Sequence, residues 1–206
     1  MARPKSDIEP RIVHAARRRF LEDGVDGASL RNIARDAGTS IGMIYYYFPT
    51  KDDLFLAVVE EIYAKVLAEL EAAIAREVTF EKRVSAMYAL VGSLDHDEVD
   101  VLRLVVREAM VSSARLDRLI ERFKRGHIGL MLKAVADGVG SGELALSFHP
   151  AVMVMSTFAL GIAPQMIRRI AAERMSWLDL PEGSAFAAQL VDVLMHGIAK
   201  PPEKTP

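Results

Sequence analysis

Apolar residues recur every three or four positions along almost the whole chain, and this spacing places them on one face of an α-helix. Near the start, Ile12, Ala16 and Phe20 follow this spacing, and Gly24 is a typical helix end. No segment alternates apolar and polar residues over the length of a strand. The sequence therefore predicts an all-α fold, with later helices over residues 50–75, 80–94, 98–111, 116–135, 150–173 and 184–198.

Composition and charge narrow the class of protein. Of the 206 residues, 51% are hydrophobic and 26% are charged, which is typical of a folded globular chain. The absence of cysteine excludes disulfides and thiolate chemistry. We find no signal peptide and no uninterrupted apolar run of the ~20 residues that span a bilayer, so we expect a cytoplasmic protein. Residues 1–51 hold nine basic and six acidic side chains on an otherwise acidic chain, a pattern that favours a polyanionic partner at this end.

Two short helical segments, "SLRNIARDAG" and "TSIGMIYYYF", follow the first helix and meet at Gly38. Two short helices joined by a tight turn that contains glycine are typical of a helix-turn-helix, whose second helix can enter the DNA major groove. Ile44 and Phe48 share one face of that second helix and should pack inward. Three consecutive tyrosines cannot all face one core, so some of their rings either contact DNA or lie beneath the next helix.

The stretch "RIVHAARRRFLEDGVDGASLRNIARDAGTSIGMIYYYFPTKDDLF" resembles the DNA-binding domain of TetR-type transcriptional regulators. The resemblance covers about the first 55 to 65 residues. It implies a DNA-binding domain at residues 1–55, with the helix-turn-helix at 29–48, and a helical effector-binding and dimerisation domain at 56–200. Residues 201–206 should form a disordered tail, because prolines and charges have nothing to bury there.

The resemblance also implies roles for individual residues. Arg31 falls where the second helix meets phosphates and occasionally a base. Apolar Ile41 and Met43 stand where polar residues are frequent, so specificity would depend on thymine methyl groups, on Arg31 and on DNA shape. Ala28 stands where a capping hydroxyl is common, so Ser29 would have to cap the helix. The complete predicted DNA-binding set is Ser29, Arg31, Thr39, Ser40, Ile41, Gly42, Met43, Tyr45, Tyr46, Tyr47 and Lys51, with the tyrosines and Lys51 at phosphate-contacting positions.

The last two helices mix large apolar residues with small ones that allow close helix approach. They form either an intramolecular core or a dimer interface. Family resemblance favours a four-helix dimer bundle. A two-fold symmetric DNA site also requires two DNA-binding domains, which we call heads. The residues predicted for this interface are Phe158, Gly161, Met166, Leu190, Leu194, Gly197 and Ile198.

The middle helices carry several methionines and aromatic side chains, which form either ordinary core or the wall of an apolar ligand pocket. If there is a pocket, Tyr88 and His127 are the expected polar anchors. The residues predicted for the effector site are Met87, Tyr88, Met110, Phe123, His127, Met131 and Met153.

Other kinds of site find little support in the sequence. Asp95, His96 and Asp97 precede a predicted helix, where acidic side chains cap it more readily than they bind metal, so we predict no metal and no cofactor. No phosphate loop or nucleophile motif argues for an enzyme. We therefore predict a homodimeric repressor that leaves a palindromic operator when a small hydrophobic effector binds. A helical protein–protein adaptor, or a small all-α enzyme without DNA binding, is the alternative.

Overall fold

The computed structural model describes residues 7–144, 147–174, 177 and 179–197, apart from the side chains of Ile170 and Glu173. Within these residues the chain is helical and contains no strand, so the prediction of an all-α fold is confirmed. Ile198 and the tail at 201–206 lie outside the described residues. The helices are α1 (Ile8–Gly27), α2 (Leu30–Asp36), α3 (Ile41–Tyr47), α4 (Lys51–Ala75), α5 (Phe80–Ser93), α6 (His96–Val111), α7 (Ser113–Lys124), α8 (His127–Gly140), α9 (Pro150–Arg174) and α10 (Gly183–His196).

Side-chain caps fix the starts of two long helices. Thr50 precedes α4, where its hydroxyl accepts from the Asp53 amide at 3.1 Å and Asp53 accepts from the Thr50 amide at 2.9 Å. Asp95 and Glu98 exchange the same pair of bonds, at 2.9 and 2.8 Å, at the start of α6. Each reciprocal pair satisfies two amides that a helix start leaves without partners. The prediction that Asp95 caps a helix is therefore confirmed.

The sequence predicts one helix over residues 116–135, and this is wrong. The structure has two helices, because Gly126 adopts the non-helical angles φ −122° and ψ −123° between Lys124 and His127. Its carbonyl accepts from Leu130 at 3.1 Å and starts α8. Apolar residues continue at helical spacing on both sides of the break, so periodicity alone does not reveal it.

The chain divides into two compact units. The first comprises the residues up to Leu67 together with Asp95–Lys124, so α6 and α7 belong with the three N-terminal helices and most of α4. Its core includes Phe20 and Phe55, together with Leu104 from α6 and Leu119 from α7. The two phenylalanine rings meet edge to face, with their centroids 6.5 Å apart. The compact unit is thus larger than the predicted DNA-binding domain at 1–55, because α6 and α7 bury apolar side chains in the same core.

The second unit comprises Ala68–Leu94 and the residues from Arg125 onward. Here α5, α8, α9 and α10 surround a core that contains Tyr88, Met131 and Leu190. Gly161 of α9 allows close packing, since a Cβ there would lie 2.5 Å from the Tyr88 ring atom Cε1. The Tyr88 hydroxyl donates to the carbonyl of Thr157 at 2.8 Å and fixes the ring in this position.

Helix α9 is apolar on two opposite faces. One face is buried and carries Val154 and Gly161 together with the polar side chains of Thr157 and Gln165. The other face is exposed, and Met155 and Ile167 on it are 71% and 64% exposed. Residues Pro150–Arg169 are consequently long and apolar enough to cross a membrane by length and composition, a test that core helices of soluble proteins also pass. We call the exposed face the α9 stripe; it consists of Val152, Met155, Ala159, Ala163 and Ile167.

Candidate functional site

The turn between α2 and α3 has the geometry that the sequence predicts. Gly38 adopts φ +61°, and the amides of Gly38 and Thr39 return to the carbonyls of Arg35 and Ala34 at 3.0 and 2.9 Å. Positive φ favours glycine at this position. Arg11 of α1 reinforces the turn, because its guanidinium donates to the carbonyls of Ala37 and Gly38. A Cβ at Gly38 would lie 2.5 Å from that guanidinium.

Helix α3 turns its aromatic residues in different directions. Ile44 and the following Phe48 are buried, whereas the side chains of Tyr45 and Tyr46 are 53% and 71% exposed. Tyr47 is half-buried, and its ring meets the Tyr46 ring edge to face at 5.1 Å. Tyr45 and Tyr46 therefore do not contribute to the hydrophobic core. Their phenol groups are available to a partner outside the chain.

The start of α3 is capped by Ser40, whose hydroxyl accepts from the Met43 amide at 3.3 Å. Ser29 occupies the corresponding position before α2, but its side chain makes no capping hydrogen bond. The suggestion that Ser29 caps α2 with its hydroxyl is therefore wrong. Arg31 is exposed. None of the residues predicted to contact DNA is buried; these are Ser29, Arg31, Thr39, Ser40, Ile41, Gly42, Met43, Tyr45, Tyr46, Tyr47 and Lys51.

Lys51 has an intramolecular role that the sequence does not indicate. Its ammonium donates to the carbonyl oxygens of Asp26 and Ala28, at 2.9 and 3.0 Å. These carbonyls lie at the C-terminal end of α1, where a cation is favourable because carbonyl dipoles converge there. Two of the three N–H groups of the ammonium are thus directed at the protein backbone.

Acidic residues near the helix-turn-helix are paired with arginines. Asp36 at the end of α2 accepts from Arg18 and Arg19 at 2.8 Å. The hydrogen bond from Arg19, followed by that from Arg18, lowers the pKa of Asp36 below its ordinary value. For Asp53, hydrogen bonding by Thr50 and then by Arg118 lowers the pKa. Both carboxylates are therefore charged at neutral pH, and their charge is satisfied within the protein.

The structure brings together most of the residues predicted for the effector site. Met87, Tyr88 and Met131 are buried in the core of the second unit, and Met153 packs against it. His127 meets the Phe158 ring edge to face at 5.1 Å. The Tyr88 hydroxyl, expected to anchor a ligand, instead donates to the Thr157 carbonyl, because the phenol is fully buried.

Two predicted effector residues do not join this cluster. Phe123 belongs to the first unit, where its ring lies 5.0 Å from that of Tyr63. Met110 also belongs to the first unit and is 85% exposed at the end of α6. For Phe123 the reason is the break at Gly126, which separates α7 from α8, whereas Met110 lies on α6, which belongs to the first unit.

Most residues predicted for dimerisation face the inside of the chain. Phe158, Leu190 and Leu194 pack in the core of the second unit, and Gly161 contacts Tyr88. Met166 is half-buried, and Gly197 ends α10 with φ +74°. The exposed apolar surface of these two helices is instead the α9 stripe, which the sequence pattern does not separate from the buried face.

Comparison with known proteins supports a regulatory role. Residues 12–58 match the family model described as "Bacterial regulatory proteins, tetR family". The "Fatty acid metabolism regulator protein" of Bacillus subtilis (strain 168) is 26% identical over 136 residues, which are 65% of this chain and 69% of that protein. UidR of Escherichia coli (strain K12), an HTH-type transcriptional regulator, is 27% identical over 183 residues, which are 87% of each chain.

A further curated relative is matched over a shorter part of its length. The HTH-type transcriptional regulator PksA of Bacillus subtilis (strain 168) is 29% identical over 119 residues, so the match spans 58% of this chain and 56% of PksA. Among solved structures, that of the transcriptional regulator FadR from Bacillus subtilis in complex with stearoyl-CoA has a TM-score of 0.74 at 18% identity. It covers 92% of this chain and 99% of that one, and at this identity the match shows a shared fold.

Proposed function

We propose that the chain is a TetR-type transcriptional regulator and not an enzyme, and that it binds duplex operator DNA as a homodimeric repressor in the cytoplasm; the family match at residues 12–58 supports this proposal. The observation that carries this proposal is the exposure of Tyr45 and Tyr46 on a short helix whose opposite face, at Ile44, is buried. These two adjacent rings present phenol groups that can hydrogen-bond to a partner outside the chain.

In the proposed complex α3 lies in the major groove. The phenols of Tyr45, Tyr46 and Tyr47 donate to phosphate oxygens. These bonds fix the position of the helix on the DNA but do not distinguish one base sequence from another. Ile41 and Met43 are half-buried on the same short helix, and Gly42 between them is exposed. Apolar side chains cannot hydrogen-bond base edges, so they favour thymine methyl groups.

The second head comes from a second copy of the chain that packs on the α9 stripe. A helix that is apolar on two faces needs a cover for each, and the core of its own unit covers only one. The stripe combines small Ala159 and Ala163 with larger Met155 and Ile167, which suits close packing of helices. This arrangement replaces the predicted interface through Phe158, Gly161 and Leu194.

The effector is a hydrophobic molecule bound in the second unit, and a long-chain acyl thioester is the first candidate. The core around Met87, Met131 and Phe158 is apolar, and methionine side chains adapt to varied shapes. The related fold of the Bacillus subtilis FadR structure contains stearoyl-CoA. A ligand that binds the DNA-free arrangement better than the DNA-bound one would release the operator.

DNA binding is tested by selecting a duplex from a random-sequence pool with the wild-type protein and measuring its affinity by fluorescence anisotropy. Tyr46→Phe should weaken binding about fivefold for each head, because it loses one hydrogen bond of about 1 kcal/mol. The salt dependence should stay unchanged, since tyrosine is neutral. The control Tyr63→Phe alters a ring packed on Phe123 and should bind as wild type. Failure to select any duplex, or an unaffected Tyr46→Phe, contradicts the proposal.

Ligand response is tested on the same selected duplex with three additions. Stearoyl-CoA should lower the affinity for DNA, whereas stearate alone and coenzyme A alone distinguish recognition of the chain from recognition of the headgroup. If none of the three changes the affinity, an acyl-thioester effector is excluded.

A further inference from the structure

Arg115 of α7 is a buried cation with an unusual number of partners. Its side chain is 7% exposed, and its guanidinium donates to Glu108 at 2.7 Å and to Asp52 at 2.9 Å. It also pairs with both carboxylate oxygens of Asp26. One planar guanidinium thus binds three carboxylates, a geometry that a lysine ammonium cannot reproduce.

These partners lie at the two places where the chain enters and leaves the helix-turn-helix. Asp26 is in the last turn of α1, just before α2, and Asp52 is in the first turn of α4, just after α3. Glu108 lies on α6, and its second oxygen accepts from the Val25 amide at 3.3 Å beside the kink at Gly24. Arg115 therefore holds both ends of the α2–α3 segment against α6 and α7.

Neighbouring cations complete the cluster and balance its charge. Arg107 lies 3.4 Å from Glu108 and donates to the carbonyls of Phe20 and Leu21 in α1. Lys51 donates to the carbonyl of Asp26. Arg115, Arg107 and Lys51 thus face Asp26, Asp52 and Glu108, three charges of each sign. Loss of Arg115 would leave three carboxylates close together, without the group that joins them.

We propose that Arg115 is a positioning residue for DNA binding: it does not touch DNA, but it holds α2 and α3 in the orientation that binds DNA. This inference rests on the proposed function, because it concerns the same DNA-binding surface. It adds that the orientation of the helix-turn-helix depends on α6 and α7 through one side chain.

The physical consequence is specific. Without Arg115 the head samples other orientations, and the apparent affinity falls by the fraction of molecules in the binding orientation. Molecules that do bind make the same phosphate contacts. The slope of log affinity against log salt, about 0.9 for each phosphate contact, therefore stays the same. A residue that touches phosphate would change this slope as well.

The experiment compares Arg115→Met and Arg115→Lys with wild type on the selected duplex at several salt concentrations, well below each variant's melting temperature. We expect about tenfold weaker binding for Arg115→Met and a smaller loss for Arg115→Lys, both with unchanged slope. Arg118→Met is the matched control, because Arg118 on the same helix is 42% exposed and pairs with Asp53 outside the Arg115 cluster. It should bind within about twofold of wild type.

Each other outcome has a definite meaning. If a folded Arg115 variant melts earlier but binds DNA as tightly as wild type, Arg115 is merely structural and the inference is overturned. A shallower slope would instead make it a phosphate contact and also overturn the inference. If neither variant folds, the positioning role is rejected as well. If wild type itself selects no duplex, the proposed function fails first, which distinguishes the two failures.

Discussion

The Lys51 ammonium lies 2.9 Å from the carbonyl oxygen of Asp26, so the first residue of α4 is tied to the last turn of α1. A second bond, to the carbonyl of Ala28 at 3.0 Å, closes the same junction. The short α2–α3 segment is therefore held at its two ends by the hydrogen bonds of Lys51 and by the ion pairs of Arg115 with Asp26 and Asp52. A residue that looks like a DNA contact in the sequence thus also stabilises the fold.

Replacing Lys51 with alanine should reveal this second role. We expect a loss of about 1 kcal/mol in the free energy of unfolding, because two carbonyls lose a charged donor. The salt slope for DNA binding should become shallower by less than ~1.8, the change that two lost phosphate contacts in a dimer would give. Denaturant unfolding and anisotropy measure these quantities. A full change of ~1.8 with unaltered stability would place Lys51 on the phosphate backbone alone.

Introducing a charge into the α9 stripe should separate the proposed dimer. Met155→Glu keeps the isolated chain folded, because the side chain is 71% exposed there, but it buries a carboxylate in the interface at a cost of several kcal/mol. Sedimentation equilibrium should then show monomers with an unchanged circular dichroism spectrum. Val78→Glu, at an apolar position that is 85% exposed outside α9, is the control and should remain dimeric. A dimeric Met155→Glu protein would exclude the stripe as the interface.

A methyl group at Gly161 should destabilise the second unit. The new Cβ would lie 2.5 and 2.8 Å from two Tyr88 ring atoms, and the ring cannot retreat without breaking its bond to Thr157. Thermal unfolding of Gly161→Ala should show a loss of about 1–3 kcal/mol. Gly140→Ala is the matched control: nothing lies within 4 Å of that Cβ, so it should be neutral or stabilising by up to about 1 kcal/mol. Equal stability of the two variants would contradict this packing.

Stability at alkaline pH should depend on Tyr88. Burial raises the pKa of its phenol above the ordinary value of 10.0, so the folded protein keeps a proton that the unfolded chain releases. The stabilising contribution is complete below pH 10 and declines as pH rises beyond it. Unfolding free energies measured between about pH 9 and 12 should therefore fall more steeply for wild type than for Tyr88→Phe. Parallel curves would mean that the phenol is not protected.

The helix-turn-helix could be predicted because its signals are local. Gly38 marks a turn that needs positive φ, and the spacing of Ile44 and Phe48 defines the buried side of a seven-residue helix. Helical period and capping residues such as Thr50 and Asp95 depend on neighbours within four positions. The sequence alone therefore determined the all-α class, most of the helices and the burial of Ile44 and Phe48.

Only the tertiary structure decided which apolar face of α9 is buried and which distant charges meet. Both faces have helical spacing, so the pattern could not separate Gly161, which packs on Tyr88, from the exposed Met155. Arg115 meets Asp26 across 89 positions, and Arg11 meets Ala37 across 26. Local periodicity carries no information on such pairs, because they depend on how helices pack after they form. That packing assigned α6 and α7 to the N-terminal core and made Arg115 a buried link to the DNA-binding head.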